Sequence, residues 1–461
     1  MQQIAAIIGL TWKAAFRYRL FWVIVTLLLG AVVGLPLLIK HDGTAEGFAQ
    51  ILITYTLGSV TALLGLCTLW LACGTLARDI EECQLQMVLV KPVARWQVWL
   101  GKWLGLVTLN AALLAVAGAS IYCVIEWRAR GLAPDQLFTL RNQVLAARDS
   151  AKPENVDQAI ETETRRRLQE LISQQKLGGS KPEAVADSIR DELKNEVQLV
   201  GPDGFHPWLI HVGASRGQLK GQPLYLRVKF NTSAANASGT FYADWLVRNP
   251  ETGDAWPHEQ MSLAPDTVHE FAVPADYVDD KGDILIYFHN PNKASMLFPL
   301  ADGMEVLYRV GGFAPNLARG LGIILCWMAL LAALGLAAAS FLSFPVAAFC
   351  SLAILTMGLS SGTLSNVVSE GTVMGTNPET GAKTSQTVDN VMVPVFRAIL
   401  HVINVVQQFS PVDSLSTGRN VSWKELGLAT AEIVLLLGGI LGIFGIFVFH
   451  RRELAAVAVT H

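Results

Sequence analysis

The residues of this chain that could do chemistry are few and scattered. The string GTNPETGAKT (375–384) comes nearest to a phosphate-binding loop, but a P-loop needs G-x-x-x-x-G-K-[ST] opening a helix so that backbone N–H groups cradle phosphate. Ser360 and Ser361 precede a glycine, with no His and Asp at a suggestive spacing. The histidines between 206 and 289 lack compact ligand spacing. These patterns predict a chain with no catalytic residue, no metal site and no nucleotide site of its own.

The cysteines form neither a metal pattern nor a disulfide pattern. The chain has 6 cysteines, and the long polar stretch 126–317 contains none of them. Most fall in apolar segments, where a thiol is expected to act as a small apolar packing group. These are Cys67, Cys73, Cys123, Cys326 and Cys350, while Cys83 lies in a short polar linker.

Three polar residues stand inside apolar segments: Glu432, Asn110 and Tyr55. Glu432 follows Trp423, a residue type that favours the membrane interface, and a helical rise of 1.5 Å per residue places the carboxylate ~13 Å into the apolar layer. A charge there is costly and usually faces a protein interior or a wet cavity. Lining of a pathway and a structural hydrogen bond to a neighbouring helix are equally good interpretations.

The segments that hold these residues are long enough to cross a bilayer. Hydrophobic residues make up 52% and charged residues 16% of the 461-residue chain, which is too apolar for one soluble domain and too charged for a chain lying wholly in lipid. A bilayer core of about 30 Å needs ~20 apolar helical residues. The sequence predicts a polytopic α-helical membrane protein with six transmembrane helices, at about 20–39, 51–77, 103–125, 318–342, 346–362 and 426–449.

Basic residues flank alternate ends of these segments. Lys13, Arg17 and Arg19 precede the first segment, further basic residues lie between the second and third, and Arg451 and Arg452 follow the last. Because Lys and Arg stay on the cytoplasmic side, both termini are expected inside and the insert between the third and fourth segments outside. The net charge of -3 gives no reason to expect nucleic acid as a partner.

The insert, residues 126–317, changes character along its length. Residues 126–200 are charged and helix-like, whereas from 201 to 317 the hydrophobic period is two, which favours a β-sandwich. Its tryptophans Trp208, Trp245 and Trp256 are predicted to fill the core, with sugar or protein binding as the alternative. Strands are expected at 223–230, 239–247, 269–274, 283–290 and 304–310. The domains expected are 1–125, 126–200, 201–317 and 318–461.

One apolar stretch is too short to be counted as a span. Residues 393–409, VPVFRAILHVINVVQQF, have an apolar side but too few uncharged residues to cross a bilayer. An interfacial or re-entrant helix is the natural interpretation.

The most specific pattern lies in residues 78–102, RDIEECQLQMVLVKPVARWQVWLGK. An acidic pair, an apolar run, a Pro followed by an Arg, and a Gly-Lys at the next membrane entry predict an amphipathic element along the inner surface. An ordinary positive-inside loop would explain the basic residues. It would not explain Glu81, Glu82 and Pro92.

This order of residues resembles the permease subunits of ABC-2 type transporters, especially the bacterial branch grouped with permeases of copper-enzyme maturation and gliding motility. The positions that match the family pattern are Glu81, Glu82, Pro92, Arg95, Gly101 and Lys102. The likeness continues in AAASFLSFPVAAF (337–349), FSPVDSL (409–415), SWKEL (422–426) and HRREL (450–454). Cys83 and Gln84 stand where the family commonly has Gly-Thr, and the insert is larger than in simple members.

The resemblance implies that residues 78–102 form a coupling helix that docks on a separate cytoplasmic ABC ATPase, with Glu81 and Glu82 as contacts. ATP and Mg²⁺ would be bound by that partner, and this chain would hold no cofactor. The resemblance further implies a second permease copy or a sister permease, the inner membrane of a bacterium, re-entrant helices at 393–409, and export rather than import. Membrane lipid would surround the helices, and a periplasmic protein could meet the insert.

Two other functions fit the same sequence. The chain could relay ATPase motion through the insert to a periplasmic partner without moving substrate, which predicts a sealed apolar interface between protomers. It could also be a membrane-anchored sensor or adhesion protein, which predicts that residues 78–102 bind no ATPase.

Overall fold

The computed structural model describes residues 2–17, 19–38, 45–82, 93–174, 182–214, 216–219, 221–232, 239–258, 260–373 and 386–452. The chain divides into two compact units, one formed by Met1–Ala147 with Gly312–His461 and the other by Arg148–Gly311. The first unit is helical and the second contains most of the β-structure. Each unit is described separately below.

Long apolar helices build the first unit. In its first part these are α1 (Gln2–Arg17), α2 (Arg19–Leu38), α3 (Ala45–Glu81), α4 (Arg95–Ala129) and α5 (Pro134–Gln143). The helices α6 to α8 belong to the second unit. After that unit the first unit continues with α9 (Phe313–Ala339), α10 (Phe344–Leu359), α11 (Ser361–Glu370), α12 (Gln386–Gln407), α13 (Pro411–Ser416) and α14 (Trp423–Ala429). A π-helix (Thr430–Gly438) joins α14 to α15 (Gly439–Arg451).

Several of these helices could cross a membrane. Within the described residues, 5 helices are long and apolar enough, and up to 7 spans result if each of two bent helix pairs counts as one. The bent pairs are Gln2–Arg17 with Phe21–Gly34, at 77°, and Phe344–Leu359 with Ser361–Ser369, at 66°. The predicted number of six lies between these two counts.

The helix predicted at 393–409 is longer than its apolar core suggested. The helix α12 begins at Gln386 and ends at Gln407, with Pro394 inside it. The stretch Val388–Ser416 has the length and composition of a membrane span. By length and composition this stretch could therefore cross a membrane, because the helix begins seven residues before the position at which the pattern placed it. Its interfacial or re-entrant placement stays a prediction.

Glycines allow the helices of the first unit to approach closely. A Cβ added at Gly335 of α9 would stand 2.6 Å from the Cβ of Ala72 on α3. On α4, an added Cβ would stand 2.8 Å from Ile7 at Gly101 and 2.7 Å from Thr11 at Gly105, so α1 lies in a notch of that helix. Lipid tails are as apolar as the side chains, so close van der Waals packing at small residues, rather than the hydrophobic effect, holds helices together in a membrane.

Two antiparallel sheets that share one core build the second unit. Their strands are β1 (Ala146–Ala151), β3 (Phe205–His211), β4 (Leu224–Val228), β6 (Phe241–Arg248), β7 (Ala255–Pro257), β8 (Met261–Leu263), β9 (His269–Val273), β10 (Asp283–His289) and β12 (Met304–Gly312). One sheet has the order β1-β12-β4-β9 and the other β3-β10-β6-β7, with β8 also paired to β6. The short strands β2 (Leu199–Val200), β5 (Asn231–Thr232) and β11 (Met296–Leu297) form a third sheet in the order β2-β11-β5.

The expected two-residue period is observed in β6 and β10. Strand β10 alternates between part-buried and buried positions, and β6 alternates in the same way. Trp245 is 2% exposed at the centre of the shared core, and Trp208 and Trp256 pack against it. The prediction that the tryptophans fill the core is confirmed.

The predicted helical region 126–200 contains a strand that its composition did not indicate. β1 interrupts the helices, and Arg148 within it is buried and paired with Glu270. Tertiary pairing overrides local helix preference here. Beyond β1, α6 (Asp157–Ser173) and α7 (Pro182–Gln198) pack through a small cluster of Ile160, Ile189 and Leu193. The short α8 (Arg216–Leu219) completes the helices of the unit.

Charged side chains cover the α6 and α7 pair. Hydrogen bonds from Arg166 and Arg167 lower the pKa of Glu163 to about 2. Between the helices, Arg190 Nη2 lies 3.2 Å from Glu161 Oε2. In the sheet region, burial lowers the pKa of His206, which packs against Trp208.

Candidate functional site

The predicted coupling residues gather where several helices of the first unit end. The side chains of Asp79, Glu81, Arg95, Lys102 and Arg452 form what we call the helix-end cluster. They join the end of α3, the start of α4, the end of α9, the start of α10 and the end of α15. The sequence placed all these helix ends on one side of the membrane, and their mutual contacts agree with that grouping.

Lys102 connects α4 to α3. Its ammonium nitrogen lies 2.5 Å from Oδ2 of Asp79 and donates to the carbonyl of Thr75 at 2.8 Å. The Lys102 side chain is 8% exposed and the Asp79 side chain 29%. A buried ammonium group needs such partners because desolvation of an unpaired charge is costly. The sequence pointed to Lys102 but missed Asp79.

Glu81 contacts the second half of the chain. Its Oε1 accepts a hydrogen bond of 2.9 Å from the backbone N–H of Phe344, the first residue of α10. The N-cap residue Ser343 makes no side-chain capping bond, so Glu81 supplies the acceptor from another helix. A carboxylate at a helix N-terminus also interacts favourably with the helix dipole.

The side chain of Phe344 also contacts α3. The guanidinium carbon of Arg78 lies 4.5 Å from the centroid of the Phe344 ring, in the range of a cation–π contact. The ring of Trp70 packs on Phe344 edge to face, with the centroids 5.2 Å apart. Phe344 belongs to the stretch 337–349 that resembles the family pattern, but no local pattern indicated its partners, which are more than 250 residues away along the chain.

Arg95 contacts the last helix. Its Nη1 lies 3.1 Å from the carbonyl oxygen of Phe449, 2.7 Å from that of His450 and 3.0 Å from that of Arg452. The last carbonyls of a helix have no partner within the helix, and a cation there both bonds to them and complements the dipole.

Two further contacts hold the end of α15. Arg452 donates from Nη1 to the carbonyl of Ser340 just after α9, at 3.2 Å. One turn into α4, Trp99 is 3% exposed and fills the space above Gly442 and Gly445 of α15. Trp99 is a packing residue that sequence reasoning did not single out, although the spacing of Gly442 and Gly445 leaves room for a large ring.

Two predicted coupling residues, Glu82 and Pro92, are not members of the helix-end cluster. Glu82 is exposed, and its backbone N–H continues the turn at Arg78. Pro92 lies outside the described residues, as does most of the loop between α3 and α4.

Asn110 lies between helices. It is 3% exposed; its Oδ1 accepts from Thr68 of α3 at 2.9 Å, and its amide donates to Leu106 at 3.0 Å. The Thr68 hydroxyl also lies 3.7 Å from the sulfur of Met328 on α9. The geometry matches the structural interpretation of Asn110, in which a polar group links neighbouring helices.

Glu432 lies in the π-helix and is part-buried. Its Oε2 accepts a hydrogen bond of 2.7 Å from Nε2 of Gln408, just after α12. Nearby, Gln407 donates to Ser361 at 2.9 Å. π-Helical turns are rare and occur frequently at functional sites. These polar residues join the last span to the α11 and α12 pair.

Tyr55 is 60% exposed on the surface of α3. Of the three predicted pathway residues, Asn110 is thus buried, Glu432 part-buried and Tyr55 exposed. A separate groove of about 450 Å³ lies between α4 and α9 and is lined mainly by Ala, Gly and Leu, including Ala115, Gly118 and Gly322.

Comparisons with protein-family models, with curated proteins and with solved structures find no match for this chain. Among the described residues, no group of three or more His, Cys, Asp or Glu side chains could hold a metal ion. The functional interpretation therefore depends on the membrane helices, the helix-end cluster and the sequence pattern around it.

Proposed function

We propose that the chain is the permease subunit of an ATP-driven ABC-2 type transporter, an exporter coupled to a separate cytoplasmic ATPase. The observation that supports this most strongly is the helix-end cluster. The two residues that flank the loop, Glu81 and Arg95, are hydrogen-bonded to α10 and α15. A loop moved by an ATPase would thus act on both halves of the membrane unit.

The proposed topology has six spans, both termini in the cytoplasm and the insert outside the cytoplasm of a bacterium. In this arrangement α2, α3, α4, α9, α10 and α15 with its preceding π-helix cross the membrane. The helices α11 and α12 would form a re-entrant pair, and α1 would lie at the inner face. The chain itself would be non-catalytic, with ATP and Mg²⁺ bound by the partner and a second permease copy or a sister permease beside it.

A purification of the full chain in mild detergent tests this proposal. We expect a P-loop ATPase to remain bound and the complex to hydrolyse ATP. Glu82→Arg should lower the amount of ATPase retained, since the reversed charge stands at the exposed edge of the loop. Glu154→Arg is the matched control, because Glu154 is also exposed but belongs to the second unit. A purified chain without an ATPase would contradict the proposal and favour the sensor or adhesion function.

A relay without transport is the second candidate, and the burial of Asn110 favours it. One of the three predicted pathway residues, Asn110, is buried and hydrogen-bonded to a neighbouring helix. The two candidates differ at Glu432. In a variant with Cys83 and Cys123 replaced by Ser, a Glu432→Cys thiol should react with a water-soluble maleimide if the residue lines a pathway. It should stay unreactive if the protomers meet in a sealed interface.

A further inference from the structure

We infer that Glu81 and Arg95 are positioning residues, which pass movement of the loop between them to α10 and α15 and do not themselves contact the ATPase. The inference rests on the proposed function, because the movement would come from a docked ATPase. It changes the role that the sequence pattern assigned to Glu81. Both acidic residues are exposed, and Glu82 keeps the role of docking contact because the Glu81 carboxylate already accepts a hydrogen bond from Phe344.

The carboxylate of Glu81 already has a specific partner. Its Oε1 lies 2.9 Å from the amide nitrogen of Phe344, and that amide opens a helix whose own N-cap side chain makes no such bond. Arg78, one turn earlier on α3, lies over the ring of the same residue. The end of α3 therefore contacts both the backbone and the side chain at the start of α10.

On the other side of the loop, the guanidinium of Arg95 connects the start of α4 to the end of α15. A single nitrogen of Arg95 lies within hydrogen-bond distance of three carbonyl oxygens at the end of the last helix. Arg452 continues this contact to the carbonyl of Ser340. Movement of the start of α4 would therefore displace the end of α15 and, through it, the end of α9.

The ion pair of Lys102 and Asp79 would make the end of α3 and the start of α4 move together. It connects α4 to α3 one to two turns from the loop, at 2.5 Å. The loop is therefore flanked by two helices that are paired with each other, and next to the loop each of them has a polar contact with the second half of the chain. Hydrogen bonds to charged groups are short, strong and directional, so a displacement of one helix end would be passed to its partner.

The test uses the full chain with its bound ATPase in lipid nanodiscs and compares four variants with the unaltered protein. Glu81→Ala removes the acceptor of the Phe344 amide, whereas Glu81→Gln keeps an oxygen there. Arg95→Ala removes the donor, and Arg95→Lys keeps a cation. Two quantities are measured in each complex: the ATPase retained per chain, and amide hydrogen exchange over 344–359 and 439–451 with and without ATP.

We expect all four variants to retain the ATPase at the unaltered level. Glu81→Ala should abolish the ATP-dependent change in exchange over 344–359, and Glu81→Gln should preserve it. Arg95→Ala should abolish the ATP-dependent change in exchange over 439–451, and Arg95→Lys should preserve it. Without nucleotide, exchange in the first turn of α10 should rise about fivefold in Glu81→Ala, as expected for loss of a helix cap.

Two results would overturn the inference. Loss of the ATPase in Glu81→Ala with retention in Glu81→Gln would show that Glu81 is a docking contact. An unchanged response to ATP over 344–359 in Glu81→Ala would show that the hydrogen bond transmits nothing. If the unaltered chain binds no ATPase, the proposed function fails and the relay with it, while the nucleotide-free exchange of α10 still reports whether Glu81 caps that helix.

Discussion

The ammonium group of Lys102 is enclosed between the carboxylate of Asp79 and the carbonyl of Thr75, 2.5 Å from the first and 2.8 Å from the second. This contact connects the helices on either side of the predicted coupling loop. A basic residue that the sequence would assign to membrane orientation is therefore also a structural link within the membrane unit.

Removal of one partner should leave the other buried charge without compensation. We expect Asp79→Ala to destabilise the protein by about 2 kcal/mol, below the usual cost of breaking a buried pair because Asp79 is 29% exposed. Thermal unfolding in detergent, followed by tryptophan fluorescence, measures this. The double variant Asp79→Leu with Lys102→Met should recover most of the loss, and a double variant as unstable as the single one would contradict the explanation.

Gly335 should tolerate no larger side chain. Its missing Cβ is the point at which α9 meets Ala72, and Gly335→Ala should cost about 2 kcal/mol through overpacking. Gly30→Ala serves as the control, since a Cβ at Gly30 meets no described atom within 4 Å, and a helical Ala in that position should be neutral or slightly stabilising. Equal melting temperatures for the two variants would show that the approach of α9 to α3 is looser than described.

Trp245 should be the residue on which the β-sheet unit depends most. It is 2% exposed and packs on Phe288 with ring centroids 4.7 Å apart. Trp245→Ala should destabilise this unit by about 3–5 kcal/mol. Hydrogen exchange of β6 and β10 in the full chain measures the effect, with Phe205→Ala, 71% exposed, as the control. Similar protection in both variants would contradict a core role for Trp245.

The helix pair α6 and α7 should loosen in acid. The pKa of Glu163 is lowered from 4.5 to about 2 in the folded protein, so its ion pairs contribute stability above pH 4.5 that is lost as the pH falls through 2. Exchange of residues 157–173, corrected for the intrinsic effect of pH, should rise across this window. Glu163→Gln should show a smaller rise, and an identical pH profile would exclude Glu163 as the cause.

The sequence predicted those parts of the fold that follow from local pattern. The strands at β4, β6, β9, β10 and β12 lie within or close to the expected ranges, because each is a short run of apolar and β-forming residues with turn residues at its ends. The strands β2, β3, β5, β7, β8 and β11 were not predicted, and β1 was taken for helix. Their position depends on a neighbouring strand, which no local pattern records.

The candidate site was predictable as a set of positions but not as a geometry. Glu81, Arg95 and Lys102 stood out because their order resembles the pattern of ABC-2 permeases, and because an ordinary positive-inside loop would not explain Glu81. Their partners did not, since the Phe344 amide and the carbonyls around His450 belong to the backbone. A sequence shows which side chains are charged, and only the fold shows which backbone groups are left open to receive them.

The notch at Gly101 and Gly105 also bears on how the protein should be handled. Ile7 and Thr11 occupy it. A shortened version that lacks the first seventeen residues would therefore expose the surface of α4 at Gly101 and Gly105, which α1 covers in the full chain.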